Sequence, residues 1–221
     1  MLIIIGFNIG DTMKDIIIVG AGGFGREVLA LIEWINSITL TWNVLGFIDD
    51  NIHALDDYNI SYNVLGAIKE WQPKDSEQYV LAISAPRSKE NIVSILKNRG
   101  ARFATVLAPT ATVGSRTTLG EGVVMFGDAG ISVDCRIGNF VFFNSLDGIG
   151  HDTMIGDFCT FGPKVCISGA TKIGKCVNVG ALASTYPGVE VGDYATIGMN
   201  SCAIRCVKAN VTVVGVPAKI L

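Results

Sequence analysis

The sequence predicts a short α/β domain followed by a parallel β-helix, and three observations carry this prediction. A six-residue pattern repeats through the C-terminal half. Glycine is abundant, with 26 of the 221 residues, or about 12% against a usual level of about 7%. A strand pattern, a glycine-rich turn and a helix pattern follow one another near the N-terminus. Together these features predict many short strands with tight corners, preceded by a small nucleotide-binding type of fold.

The repeat runs from Val113 to Val214 as 17 consecutive blocks of six residues, without interruption. Large apolar residues occupy the first position in 14 blocks, and glycine occupies the second position in 10. A period of this length is typical of hexapeptide β-helices. We expect each block to form one strand and three blocks to form one triangular coil, with the first position pointing inward. Coils then stack at about 4.8 Å, the spacing of strands in a sheet. We assign the turn to the second-position glycine, which has no Cβ to clash.

The six cysteines lie at positions 135, 159, 166, 176, 202 and 206, and none forms a CxxC pair. Cys135 and Cys159 occupy fifth positions of their blocks, where we expect small core residues. Without a signal peptide, this pattern indicates reduced thiols and a cytoplasmic protein.

The α/β domain begins with a buried strand from Asp15 to Val19. The sequence Gly-Ala-Gly-Gly-Phe-Gly follows, and a helix pattern extends from Arg26 to Asn36. Glycines in this context allow the backbone to approach a phosphate, and the helix N-terminus favours an anion.

Two further strands end in polar residues. The strand Val44–Ile48 leads into Asp49 and Asp50, and the strand Tyr79–Ile83 leads into Ser84. A helix over Ser88–Asn98 and a strand near Phe103–Val106 complete this Rossmann-like pattern. Ligands of such folds bind at the carboxyl ends of the strands, so the candidate site includes Gly22 to Phe24, Asp49, Asp50 and Ser84.

Residues 13–107 therefore form the predicted Rossmann-like domain and residues 108–221 the β-helix domain. Residues 1–12 are interpreted as an upstream extension, because Met13 stands directly before the first strand. The apolar stretch Leu2–Phe7 is too short to span a bilayer. The net charge of −3 offers no basic face for nucleic acid.

Of the two histidines, His53 lies in a polar loop, whereas His151 is the single histidine of the repeat. His151 stands at a corner of the predicted prism, next to Asp152. Imidazole suits a general base near neutral pH, and a neighbouring carboxylate can fix its tautomer. Asp147 and Asp157 are alternative partners for the imidazole.

An 18-residue coil places His151, Gly169, Pro187 and Arg205 in one column. Three coil steps span about 14 Å, comparable to an extended pantetheine arm. A thioester could then lie beside His151 and Gly169, with the Gly169 amide as an oxyanion donor. Arg205 or Lys208 would meet the phosphates.

The glycine-rich turn GAGGFG, the hexapeptide run, the segment IGHDTMIGDF and the terminal GVPAKIL together resemble bacterial sugar O- and N-acetyltransferases of the NeuD/PglD type. The resemblance covers about residues 13–221. It implies a left-handed β-helix, a homotrimer, and acetyl-CoA held between adjacent subunits. It implies direct acetyl transfer to an amino or hydroxyl group of a sugar or sugar nucleotide, with His151 as base, Asp152 as its partner and no metal.

The same resemblance assigns acetyl-CoA contacts to Thr160, Gly169, Ala181 and Met199. It assigns sugar-nucleotide contacts to Gly22, Gly23, Phe24, Asp49, Asp50 and Ser84. Two positions depart from the amino-sugar enzymes, which commonly have histidine in place of Phe24 and of Thr160. The acceptor is therefore left open between an amino sugar and a hydroxyl acceptor.

Three other functions compete with this one. A nicotinamide-dependent oxidoreductase would use GAGGFG, but the α/β part is about half the expected size. A γ-type carbonic anhydrase needs three histidines on zinc, and the repeat has one. A non-catalytic β-helix, used as a scaffold or sugar-binding module, is the main alternative.

Overall fold

The computed structural model describes residues 13–221, so the expected extension 1–12 lies outside the described residues. The chain divides into two compact units. One extends to Ser84 and includes Ser88–Val106, and the other comprises Ala85–Arg87 and Leu107–Leu221.

The first unit is a parallel sheet with helical connections. Its elements are β1 (Lys14–Val19), α1 (Gly23–Ile38), β2 (Trp42–Ile48), β3 (Val64–Gly66), β4 (Glu77–Leu81) and α2 (Pro86–Asn98). The strand order is β3-β2-β1-β4, with every pair parallel. The central strand β1 is apolar and fully buried from Ile16 to Val19, as expected for a strand that is covered on both faces. Val19 pairs with Ile48 on one side and with Leu81 on the other, so the three strands end at the same edge.

The second unit is built from short strands of two or three residues. In chain order they are β5 (Val106–Leu107), β6 (Thr112–Val113), β7 (Thr118–Leu119), β8 (Val124–Met125), β9 (Gly130–Ile131), β10 (Arg136–Ile137), β11 (Phe142–Phe143), β12 (Gly148–Ile149), β13 (Met154–Ile155), β14 (Thr160–Phe161), β15 (Cys166–Ile167), β16 (Lys172–Ile173), β17 (Asn178–Val179), β18 (Ser184–Thr185), β19 (Glu190–Val191), β20 (Thr196–Ile197), β21 (Cys202–Ala203), β22 (Thr212–Val214) and β23 (Lys219–Ile220).

These strands form three sheets that are the faces of a prism. The charged face contains β7, β10, β13, β16 and β19; the small-residue face contains β6, β9, β12, β15, β18 and β21; the third face contains β5, β8, β11, β14, β17, β20, β22 and β23. Partners along a face are 18 residues apart, as in Ile137 with Ile155 and Ile155 with Ile173. The first-position residues of successive coils thereby stack into one buried core.

The residue that turns the chain and the residue that allows close packing of the coils occupy different positions of the six-residue block. The left-handed backbone conformation occurs at the fourth position, for example at Asp134, Asp152 and Ala170, with φ of 59°, 58° and 57°. The assignment of the turn to the second-position glycine was therefore wrong. That glycine is required for packing: a Cβ at Gly156 would lie 2.7 Å from the backbone of Gly174, one coil further on.

The repeat is not uninterrupted, as the sequence had suggested. Thr196 pairs with Thr212 and Val191 bridges to Val207, both 16 residues apart. The corner between Ala203 and Val207 is thus two residues shorter than the others. Val207 and Val213 become the inward residues of the last coil, whereas Ala209, the predicted inward residue, is exposed.

Candidate active site

His151 and Asp152 form a side-chain pair at the corner between the small-residue face and the charged face. We call this corner the His151 corner; it contains residues 150–153, 168–171 and 186–189. The Nδ1 atom of His151 lies 2.7 Å from Oδ2 of Asp152, and the two side chains are 65% and 62% exposed. Asp152 is the left-handed residue of its turn, a conformation that aspartate tolerates better than most residues. The local backbone thus directs both groups outward from a rigid coil.

The other two candidate partners of His151, Asp147 and Asp157, accept hydrogen bonds from backbone groups instead. Asp147 is 1% exposed and accepts hydrogen bonds from the backbone N–H groups of Asn144 and Val165, at 2.7 and 2.9 Å. Burial raises the pKa of Asp147 to about 7, although both backbone hydrogen bonds lower it. Asp157 accepts from the N–H of Asn139 at 2.7 Å. Of the three candidate partners, Asp152 is therefore the one that the structure brings to His151.

Gly169 lies directly above His151 on the next coil. The Ala170 N–H donates to the His151 carbonyl at 2.8 Å, which confirms that the two turns stack. A Cβ at Gly169 would lie 2.7 Å from Nε2 of His151. Glycine is therefore required here so that the imidazole can lie across the coil with its Nε2 edge unobstructed by a side chain.

The other predicted acetyl-CoA contacts lie away from this corner. Ala181 and Met199 belong to the corner between the third face and the small-residue face, which we call the Met199 corner (residues 144–147, 162–165, 180–183 and 198–201). Met199 is 75% exposed there. Thr160 begins β14 on the third face. One chain thus carries the predicted contacts at both ends of the small-residue face.

Arg205 lies in the shortened corner, so the 18-residue spacing does not determine its position relative to His151. It lines a small surface cavity with Cys206, Lys219 and Ile220. Its contact with the phosphates of acetyl-CoA stays a prediction.

A larger groove, of about 690 Å³, follows the charged face. It lies between outward side chains such as Arg136 and Lys172 and a column of second-position glycines. His151, Asp152 and the five predicted acetyl-CoA contacts do not line it, whereas the alternative candidates Lys208 and Asp157 do. The groove reflects the missing side chains of that glycine column, and we do not assign it to the reaction.

In the first unit, the predicted sugar-nucleotide residues gather at one edge of the sheet. Gly22 caps α1 and Gly23 is its first residue, and both are exposed. Phe24 follows in the helix, and Asp49, Asp50 and Ser84 follow strands that end at the same edge. The arrangement is that of a loop and helix N-terminus open to a ligand.

The aspartates at this edge also organise the loops. Asp49 accepts from the Ala21 N–H and the Asn51 N–H, both at 2.8 Å. Asp50 accepts from the Lys69 N–H at 3.2 Å. Asp49 therefore ties the glycine-rich turn to the end of β2, a role that the sequence did not reveal.

The glycines of the GAGGFG motif have two different roles. A Cβ at Gly25 would overlap the carbonyl oxygen of Gly20, whereas one at Gly22 would meet no atom within 4 Å. Gly25 therefore serves the packing of α1 on the turn. Gly22 and Gly23 leave the backbone accessible.

An ion pair that the sequence motifs did not predict lies beside the catalytic candidates. Arg116 and Asp134 occupy the same turn position as Asp152 in the two preceding coils, and their side chains are hydrogen-bonded. The 18-residue spacing of 116, 134 and 152 is the signal that could have revealed them.

Cys135 and Cys159 are fully buried, as predicted for core residues, and all six cysteines are free thiols. Within residues 13–221, no three His, Cys, Asp or Glu side chains are grouped so that they could hold a metal ion. In the same part of the chain, no helix is both long enough and apolar enough to cross a membrane.

The chain thus joins an α/β unit to a hexapeptide β-helix and carries an exposed His–Asp pair at one corner. Residues 15–96 match the family described as the PglD N-terminal domain. No curated protein was found to match the chain by sequence.

Solved structures extend this likeness to the whole described chain. WeeI from Acinetobacter baumannii AYE is 29% identical, with a TM-score of 0.83 over 95% of this chain and 100% of that one. The acetyltransferase domain of PglB from Neisseria gonorrhoeae, solved with acetyl coenzyme A, is 22% identical, with a TM-score of 0.83 over the same shares. PerB from Caulobacter crescentus, solved with CoA and GDP-perosamine, is 24% identical, with a TM-score of 0.84 over 95% of this chain and 98% of that one.

The chain therefore has the fold of the NeuD/PglD-type sugar acetyltransferases. The predicted fold class, a Rossmann-like α/β domain followed by a left-handed parallel β-helix, is confirmed.

Proposed function

We propose that this protein is an acetyl-CoA-dependent acetyltransferase that acts on an amino or hydroxyl group of a sugar or sugar nucleotide. The observation that carries the proposal is the His151–Asp152 pair, 2.7 Å apart at an exposed corner. The fold around this pair is shared with sugar acetyltransferases that were solved with acetyl-CoA, and with CoA and GDP-perosamine.

In this mechanism His151 is the general base and Asp152 holds it. If Nδ1–H donates to the Asp152 carboxylate, Nε2 is left as the proton acceptor. The acceptor amine or hydroxyl loses its proton to Nε2 while its lone pair attacks the thioester carbonyl carbon. The tetrahedral intermediate then collapses, the carbon–sulfur bond breaks, and the imidazolium returns the proton to the CoA sulfur. The amide of Gly169 is the proposed oxyanion donor.

The remaining site assignments belong to the same proposal. Thr160, Ala181, Met199 and Arg205 would contact acetyl-CoA. The residues at the sheet edge of the first unit would hold the sugar nucleotide: Gly22, Gly23, Phe24, Asp49, Asp50 and Ser84.

Domain limits and location are further parts of this proposal. We assign residues 13–107 to sugar-nucleotide binding and residues 108–221 to acyl transfer. The six free thiols favour a reducing compartment and hence a cytoplasmic enzyme.

A homotrimer would bring the two separated corners together. Within one chain the two corners stand at opposite ends of the small-residue face, one six-residue block apart. In a threefold arrangement around the small-residue face, the His151 corner of one subunit lies against the Met199 corner of the next.

The outward residues of the small-residue face favour that arrangement. They are Thr112, Gly130, Gly148, Cys166, Ser184 and Cys202. Small side chains allow close approach of three copies. Exposed apolar groups also flank this face, with Leu182 and Met199 at one corner and Tyr186 at the other.

The experiment is an assay of thiol release from acetyl-CoA with a panel of sugars and sugar nucleotides. We expect turnover with at least one acceptor, and His151→Ala should reduce it by at least about 100-fold, since a positioned base contributes 10²–10⁴. His53→Ala is the matched control. His53 is also exposed and paired through Nδ1 to a carboxylate, at 2.8 Å from Asp56.

Turnover that survives His151→Ala would reject the assigned base. Absence of turnover across the whole panel would favour the non-catalytic scaffold instead. The panel also tests the consequence of Phe24 and Thr160, because it compares amino with hydroxyl acceptors.

A further inference from the structure

Three charged residues occupy equivalent turn positions in three consecutive coils, and the third of them is the partner of the proposed base. Arg116, Asp134 and Asp152 each occupy the fourth position of a block, with φ of 61°, 59° and 58°. The Asp134 N–H donates to the Ser115 carbonyl and the Asp152 N–H donates to the Val133 carbonyl, at 3.2 and 3.1 Å. The turns are therefore stacked in adjacent coils, about 4.8 Å apart.

The lower two residues form a two-pronged ion pair. Nε of Arg116 donates to Oδ1 of Asp134, and Nη2 donates to Oδ2 at 2.7 Å. This fork geometry orients both side chains more strictly than a single contact does. The guanidinium holds the pKa of Asp134 below its ordinary value.

Without Arg116, two carboxylates would stand in neighbouring turns. Like charges directly opposite each other on adjacent strands are destabilising, and a second negative charge would favour the protonated imidazole of His151. Asp152 is near enough to contribute, after Asp134, to the raised pKa of Arg116. The coil above His151 contributes Gly169 and Ala170, which carry no charge.

We propose that Arg116 and Asp134 are positioning residues of the acetyltransferase site, acting through Asp152 on the imidazole of His151. Arg116 cancels the charge of Asp134, so that Asp152 alone sets the electrostatic environment of the base. This inference rests on the proposed function for its catalytic consequence, but the coupling itself is a property of the free protein.

The coupling is measured by NMR titration of the imidazole ring protons. The sequence has two histidines, so the spectrum has two pairs of ring-proton signals, which His53→Ala assigns. Arg116→Gln leaves Asp134 uncompensated, and we expect the His151 titration midpoint to rise by about 0.3–0.5 pH unit. That is the effect of one unit charge acting through water over about 7–10 Å.

Removal of the other partner has the opposite effect. Asp134→Asn frees the positive charge of Arg116 toward Asp152, so the His151 midpoint should fall by a similar amount. The double variant removes both charges and should return near wild type, as should Arg116→Lys, which keeps the charge. The shifts should shrink at high salt because these groups are exposed.

A control variant tests whether the loss of any stacked ion pair shifts the titration midpoint of His151. Lys172→Gln breaks another stacked ion pair, Lys172 with Glu190 at 3.0 Å, and should leave the His151 midpoint unchanged. His53 should keep its midpoint in every variant. Shifts of the same sign in both single variants, or no shift in either, would overturn the inference.

Measurements of kcat/KM against pH distinguish a failure of this inference from a failure of the proposed function. The acid limb of the kcat/KM profile should move to higher pH in Arg116→Gln and to lower pH in Asp134→Asn. A wild-type protein without transferase activity refutes the proposed function, whereas the NMR titration still decides the coupling. An active enzyme whose acid limb does not follow the NMR shifts refutes the positioning role alone.

Discussion

Asp147 is a carboxyl group inside the β-helix, at a block position that other coils fill with Ala129, Ala183 or Ser201. It accepts hydrogen bonds from two backbone N–H groups, that of Asn144 in its own turn and that of Val165 in the next coil. A buried carboxyl group prefers its neutral form because the charged form loses hydration. Asp147 therefore braces the Met199 corner and makes the stability of that corner depend on pH.

The pH dependence has a definite sign. Burial raises the pKa of Asp147 to about 7 from 3.8, so the folded state binds more protons than the unfolded state between these values. Stability should fall as pH rises through this window and level off above it. Between pH 5 and 8, the free energy of unfolding should fall by about 2.5 kcal/mol more in wild type than in Asp147→Ala. Urea unfolding at a fixed protein concentration measures this difference, and equal pH slopes in both proteins would contradict it.

In the turn between β1 and α1, one glycine is needed for packing and another is available for binding. Gly25→Ala should destabilise the protein by about 1–3 kcal/mol, because its Cβ meets the backbone of Gly20, which cannot rotate away. Gly23→Ala should leave the melting temperature unchanged or raise it slightly, because Ala suits the first turn of a helix. Its nearest contact would be the end of the Arg26 side chain, at 3.8 Å.

The same pair of variants tests the substrate assignment. If the turn holds a sugar nucleotide, Gly23→Ala should raise the KM for that acceptor several-fold while kcat changes little. Thermal unfolding and acceptor titration provide the two readouts. An unchanged KM would show that Gly23 does not contact the sugar nucleotide. A lower melting temperature of Gly23→Ala would contradict the open space around this position.

The sequence predicted the elements well where a period or motif was repeated many times. The inward first position is correct through Ala203, because each coil repeats the same packing requirement. The prediction failed at the corner between Ala203 and Val207, where a two-residue deletion leaves the hexapeptide pattern superficially intact. The role of Asp49 in tying two loops follows from no repeated pattern, because it depends on a contact between segments that are far apart in the sequence. The Arg116–Asp134 pair becomes evident only when the 18-residue coil spacing is applied to the charged residues.

The proposed arrangement of three subunits predicts that residues from more than one chain complete the active site. The predicted contacts lie at two corners, and the small-residue face between them offers little side-chain bulk. Gly148 in β12 is the clearest position to test this, because a Cβ there meets no atom within 4 Å of its own chain. A bulky residue at this position should be tolerated by the subunit and excluded by an interface.

Gly148→Trp should therefore yield a folded protein that sediments as a monomer and releases no thiol from acetyl-CoA. Met154→Trp is the matched control, because Met154 holds the same block position on the neighbouring strand of the charged face and is 46% exposed. It should remain trimeric and active. Analytical ultracentrifugation, with circular dichroism as the check on folding, distinguishes the outcomes. A trimeric Gly148→Trp would place the interface on another face, and a monomeric, active wild type would mean that one chain supplies the whole site.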